Sequence, residues 1–271
     1  MPRENAGPDF IEALARGLDV IRAFGAQRRS MSLSEIAAEA SLARPTARRV
    51  LRTLEQLGYV RLEGGGFALT PRVLELGVAY TLSAGLWDIA GPCLRDLVLA
   101  TDQAASVALL DGSDIIYIAR AAVPKVVSAN INAGMRLPAR STALGKVLLS
   151  ALAPEALVAA LATPSAATTR PFRERPLDGL QDELREIRAR GWAATDEEMT
   201  PGVRSIAAPV RDGDGAVIAA VNLSAIAAEV SRERMTTELL PPVLLAAGKI
   251  GATYALARSA PQAVVSEPAT I

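Results

Sequence analysis

The sequence predicts an α+β protein in two parts: an N-terminal winged helix-turn-helix domain, then a linker helix leading to a larger C-terminal domain of paired strands and helices. Three observations carry this reading. Apolar residues recur at helical spacing from Phe10 to Phe24 and again from Ala47 to Leu57. Alternating runs flank glycine- and aspartate-rich turns at GGG 64–66, DGSD 111–114 and DGDG 212–215. Half of the 271 residues are apolar, enough to bury a sizeable core.

Composition excludes several function classes. A single cysteine, Cys93, cannot form an internal disulfide. The chain has no histidine, which removes the commonest general base, the commonest metal ligand and every Ser-His or Cys-His nucleophile arrangement. No leader-like start and no uninterrupted apolar run near the roughly 18 residues of a membrane helix is seen, so a soluble, cytoplasmic protein with no membrane partner is expected. Formal net charge is zero, yet residues 1–72 carry 11 basic against 8 acidic side chains, while the rest carries 18 against 21. The basic residues concentrate between Arg44 and Arg61, and placement is more telling than total.

In the first part, Ile11, Leu14, Leu18, Ile21 and Phe24 have the spacing of one buried helical stripe. Ser32 followed by Glu35 has the form of a capping box that starts a short second helix, burying Leu33, Ile36, Ala37 and Ala40. Ser41 and Leu42 make a tight link, and Pro45 sits in the first turn of a third helix, where its missing N–H costs nothing. At 100° per residue, Ala47, Val50, Leu51, Leu54 and Leu57 share one face of that helix, and Arg48, Arg49, Arg52 and Gln56 fall opposite. Two helices across a tight link, the second presenting arginines, match a helix-turn-helix whose second helix enters the major groove. Arginine suits this role because its planar fork bonds guanine bidentately and also clamps phosphates.

Gly58 closes the helix, and YVRLEGGGFALT alternates through Val60, Leu62, Phe67 and Leu69 as a β-hairpin, the wing, with Arg61 available for a phosphate. Thr70 and Pro71 then start a helix through Leu74, Leu76, Val78 and Tyr80. The DNA-contacting set is Arg44, Thr46, Arg48, Arg49, Arg52 and Arg61, with Arg44 a phosphate clamp. Domain limits are 1–71 for this domain, 72–85 for the linker helix, 86–258 for the second domain and 259–271 for a frayed tail.

In the second domain, ASVALL pairs with IIYIA and SIAAPV with VIAAVNLSA, separated by helices over 141–152, 154–161 and 177–190. Leu177, Leu180, Leu184 and Ile187 line one face of the last, which Gly191 stops. Strands in hairpins with helices on them define an antiparallel sheet of α+β type. Gly145-Lys146 lacks the upstream glycine and following Ser/Thr of a phosphate loop, and DGDG lacks the later ligands of a calcium loop. No cofactor and no metal site are expected. Ser141 and Thr142 stand where an apolar helix begins; they either cap it or, with its free N–H groups, hold a carboxylate. Arg136, Arg140 and Arg204 are the candidate cations for that carboxylate, Arg204 being equally open to a structural role.

The stretches FIEALARGLDVIRAFG at 10–25 and RPTARRVLRTLEQLGYV at 44–60 resemble the IclR family of bacterial transcriptional regulators, and within it the branch controlling protocatechuate and p-hydroxybenzoate catabolism. That resemblance covers nearly the whole chain. It implies a C-terminal effector-binding domain similar to GAF and profilin-like folds, with a pocket lined by Ala143 and Leu144 beside Ser141 and Thr142. Thr195, Val203, Ser205, Asn222 and Ser224 join this pocket, with Val126 and Ala129 as apolar wall. Thr195 stands where members that bind small acids carry an acidic residue, and the small neutral lining leaves room for more than a two- or three-carbon acid.

The resulting expectation is a dimer or tetramer on a roughly palindromic double-stranded operator, responsive to a small aromatic acid or ring-cleavage product. Two other readings stand beside it: an enzyme built on the α+β domain, and a ligand-independent nucleoid-type DNA binder. The missing histidines and the absence of a nucleophile elbow speak against the first, and the large second domain against the other.

Overall fold

The computed structural model describes residues 7–24, 30–76, 85–123, 131–173 and 178–259. The chain divides into two compact units at residues 84 and 85.

In the first unit, helices α1 (Glu12–Ala23), α2 (Leu33–Glu39) and α3 (Arg44–Gln56) precede a hairpin of β1 (Val60–Glu63) and β2 (Gly66–Leu69). The capping box forms: the Glu35 N–H donates to Ser32 Oγ at 3.3 Å and the Ser32 N–H donates to the Glu35 carboxylate at 2.9 Å. Ser41 turns the link with a positive φ of 54°, and Pro45 lies in the first turn of α3. Val20, Ile36, Leu51 and Val60 form the core.

Three sequence expectations are corrected here. α1 touches this core only through its C-terminal half, so Ile11, Leu14 and Leu18 are 65, 62 and 42 % exposed while Val20 and Ala23 are buried. Leu57 caps α3 where the chain turns away at Gly58, and it is exposed. Leu62 shares a face with Val60 and pairs with Phe67, yet near the tip of the hairpin the core no longer covers it and it is exposed. Gly64 and Gly65 both take positive φ, as a two-residue hairpin turn requires. Gly66 serves another purpose: Met31 pairs with Phe67, and a Cβ at Gly66 would meet the Met31 carbonyl oxygen at 2.9 Å. Of the predicted linker helix, Pro71–Leu74 form a 3-10 turn capped by Thr70; Val78 and Tyr80 lie outside the described residues.

The second unit is built on a six-stranded antiparallel sheet, order β5-β4-β3-β8-β7-β6. The strands are β3 (Ala104–Asp111), β4 (Asp114–Ala121), β5 (Arg136–Pro138), β6 (Ala193–Asp196), β7 (Val203–Arg211) and β8 (Val217–Ile226). Helices α4 (Leu86–Thr101) and α8 (Leu240–Ser259) cover one face, burying Val107, Ile206, Val221 and Leu223. On the other face lie α5 (Ala143–Ser150) and α7 (Leu180–Arg190), over Ala108, Ile115, Ala207 and Ala220, with α6 (Pro154–Ala162) beside them. Alanines at the centre of β7 and β8 let helices approach closely on both sides. Both predicted hairpins form; α4 and α8 add a layer that sequence patterning did not predict. By length and composition Arg232–Arg258 would suit a membrane span, but Val243, Ala246, Ala247 and Ile250 are buried in the domain core. Ahead of α8, Met235–Leu239 widen into a π-helical turn. Pro241 and Pro242 follow it, and a wider turn relieves two missing N–H groups and ring clashes.

Two local features aim the sheet at a site. In β4 the register slips, Val107 facing Ala119 while Ala108 faces Tyr117, so Ile118 is an extra residue. This bulge places Tyr117 and Arg120 on the same sheet face, where strict alternation would separate them. The start of α5 is pressed against the 3-10 turn Ala139–Ser141: a Cβ at Gly145 would lie 2.2 Å from the Ala139 carbonyl oxygen. Gly145→Ala is therefore expected to lower stability by roughly 1–3 kcal/mol, measured by urea unfolding of the full chain.

Candidate DNA-reading face and ligand cavity

On α3, Ala47, Leu51 and Leu54 are buried while Arg44, Arg48, Arg49 and Arg52 are exposed, with Thr46 half-buried near the N-terminus. Among the described residues, none of these four arginines is paired with an acid, so their guanidinium forks are available to an external anion. Arg61, on the wing, is exposed and bonded to Glu63 at 3.0 Å. A phosphate at that position has to compete with this exposed pair, which is worth little in water.

The second unit holds a partly open cavity of about 350 Å³, within the usual size range of small-ligand sites. Thr142, Ala143, Leu144, Thr195, Val203, Ser205, Asn222 and Ser224 all line it. Ser141 does not: the 3-10 turn carries its buried side chain toward a separate polar groove with Arg140, Asp178 and Glu183. Val126 and Ala129 lie outside the described residues. Thr142 caps α5, accepting from the Gly145 N–H at 3.1 Å. Ala143 and Leu144, in the first turn of that helix, line the cavity.

None of the three predicted cations lines the cavity. Arg136 engages Asp111 and approaches Asp114 at 3.8 Å. Arg140 borders the separate groove. Arg204 bonds Asp196 at 2.5 Å and the Ala227 and Val230 carbonyls at 2.9 and 2.7 Å, a structural clamp. Burial pushes the Asp196 carboxyl up, but hydrogen bonds from Arg204 and Arg232 outweigh it and hold the group below its ordinary value.

Among the described residues, the cation that does line the cavity is Arg120, which alternation counted from Tyr117 turns to the wrong face because it cannot see the bulge. Arg120 donates to Ser106 Oγ at 3.3 Å, and burial pulls its guanidinium below the ordinary value. Burial also pushes the Tyr117 phenol up to about 12, so it stays neutral.

Strand register arranges the polar lining in two rows. One runs Thr195–Ser205–Ser224–Ala104 across β6, β7, β8 and β3; the next runs Ala207–Asn222–Ser106–Arg120 across β7, β8, β3 and β4. Ser205 and Ser224 hydroxyls lie 2.8 Å apart, and Asn222 Nδ2 donates to Ser224 Oγ at 3.0 Å. Asn222 Oδ1, fully buried, has no partner. Leu137, Ile131 and Met199 supply apolar wall.

The wall segment 199–202 is fastened from behind. Lys146, on α5 and 0 % exposed, donates to Glu198 at 2.8 Å and to Glu183 of α7 at 2.7 Å. Arg188 of α7 donates to the Ser150 and Leu152 carbonyls at the far end of α5.

A basic helix and wing in one unit, with a ligand-sized cavity in the other, define the class of a ligand-responsive transcriptional regulator. Residues 13–64 match the IclR helix-turn-helix domain and residues 78–252 the C-terminal domain of bacterial IclR transcriptional regulators; the chain belongs to the IclR family. It is 39 % identical to the Pca regulon regulatory protein of Pseudomonas putida over 89 % of this chain and 83 % of that protein. It is 31 % identical to the p-hydroxybenzoate hydroxylase transcriptional activator of Acinetobacter baylyi, over 86 and 88 % respectively. A solved structure from Rhodococcus sp. RHA1, assigned as a transcriptional regulator, superposes with a TM-score of 0.77 at 39 % identity, covering 92 % of this chain and 100 % of that one.

Lys146→Met takes the ammonium away from the buried Glu198 and the part-exposed Glu183 and is expected to cost about 3–5 kcal/mol. Neutralising the whole cluster, K146M/E183Q/E198Q, restores most of that loss; urea unfolding of both variants checks the difference.

Proposed function

We propose that this regulator acts in the cytoplasm as a homodimer or homotetramer on a roughly palindromic operator, and that its α+β domain senses a small carboxylic acid of aromatic catabolism. One observation carries the sensing role: among the cavity's described lining residues, the ionisable side chains are Tyr117 and Arg120. A phenol held neutral and a guanidinium make a poor acid–base pair for turnover, while a partly dehydrated cation within apolar walls suits capture of an organic anion. Supporting the aromatic reading are the names of the two relatives, one a regulator of a Pca regulon and the other an activator for p-hydroxybenzoate hydroxylase.

In this reading Arg48, Arg49 and Arg52 face base edges, while Arg44, Thr46 and Arg61 position the backbone. The effector set is Thr142, Ala143, Leu144, Thr195, Val203, Ser205, Asn222 and Ser224, to which Arg120 is added. Occupancy of the cavity biases the placement of two recognition helices, a coupling typically worth about 1–3 kcal/mol. Arg48→Ala and Arg49→Ala are each expected to weaken operator binding about tenfold or more, roughly 1–3 kcal/mol, and to leave ligand affinity unchanged. Gel shift and calorimetry on the same preparations check this; unchanged operator affinity in both variants removes the reading-head assignment.

A further inference from the structure

Resting on the reading of the cavity as the effector site, we infer that Lys146 is a positioning residue for ligand binding: through Glu198 it fixes the spacing of two wall segments, so affinity depends on a charge the ligand does not touch. The two segments are the start of α5, with Thr142, Ala143 and Leu144, and the turn from Met199 to Val203 between β6 and β7. None of Lys146, Glu183 and Glu198 lines the cavity itself. Lys146 is bound to the first segment through its backbone, its N–H donating to the Thr142 carbonyl at 2.9 Å.

The second segment is closed on itself and moves as one piece. The Glu197 N–H donates to the Val203 carbonyl at 2.9 Å, and the Gly202 N–H donates to the Glu197 carboxylate at 2.9 Å. Among the described residues, its outward backbone bonds run to Phe172, Arg173 and Ala227, and none runs to α5. Toward α5 it has two ties of different kinds. Met199 packs against the cluster that includes Leu144 and Val147, a non-directional contact that permits sliding. Both oxygens of Glu198 accept from the Lys146 ammonium, at 2.8 and 3.0 Å, while Glu183 of α7 holds the same ammonium at 2.7 Å. Charge-assisted bonds in two directions do not permit sliding.

The test uses the full-length protein, with 4-hydroxybenzoate and 3,4-dihydroxybenzoate as probes. In K146M/E183Q/E198Q, whose stability recovers, whichever acid the unaltered protein binds is expected to bind at least about fivefold more weakly in isothermal titration. Hydrogen exchange at the Gly202 and Val203 amides is expected to quicken at least about threefold. A role in folding alone returns affinity together with stability. Native affinity in the triple variant, or unchanged exchange at both amides, overturns the inference. Glu198→Gln takes its place under the same criteria if circular dichroism finds the triple variant unfolded. Failure of both acids to bind the unaltered protein at millimolar concentration overturns the aromatic-acid reading instead, and amide exchange in the variant then decides the inference by itself.

Discussion

The Lys146 ammonium, taken wholly out of water, holds together three segments that are far apart in the chain. It sits on the helix whose first turn fronts the cavity, and its two carboxylate partners lie on α7 and immediately before the wall segment 199–202. Removing Lys146 and Glu198 from water costs several kcal/mol per ion, so such a cluster adds little net stability over apolar residues of the same volume. What it secures is position. A leucine in place of the lysine would tolerate sliding of α5 against the wall, whereas hydrogen bonds of 2.7–3.0 Å to two directions do not.

The sheet supplies the rest of the cavity by dividing its own faces. One face is apolar and sealed by α4 and α8; the other is apolar only beneath α5 and α7, and beyond them turns to serine, threonine, asparagine and arginine. A polar band on an otherwise buried sheet is tolerable only where its groups bond each other or an occupant. Most do bond each other; among the described lining residues, Asn222 Oδ1 is buried without a partner.

Much of this was legible in the sequence because it depends on neighbours. A capping box needs only Ser32 and Glu35, and a hairpin needs only its turn and flanking alternation, so α2 and both long hairpins could be read directly. The serine, threonine and asparagine lining came from family resemblance, and the cavity brings those residues together, apart from Ser141 and the two positions beyond the described residues. The failures are non-local. Arg120 was hidden by a bulge that no alternation rule anticipates, while Arg136, Arg140 and Arg204 advertised charges that the fold uses elsewhere. Gly145-Lys146 fits no phosphate loop, and the sequence offers Lys146 no other role because its partner Glu198 is 52 residues away. α8 escaped notice because apolar residues lie on all its sides, leaving no period to detect. The stripe on α1 was a real pattern read too generously: its spacing says that those residues share a face, not that this domain covers it.

Along β8, Ala219, Val221 and Leu223 face α4 and α8, while Asn222 and Ser224 face the cavity. The two sets interleave one by one. The cavity's lining can therefore change through single substitutions at every second position without disturbing the packing between them. Insertion or deletion is closed to it: a slip of one residue would deliver leucine and valine to the ligand and asparagine to the core, forfeiting recognition and fold in a single event.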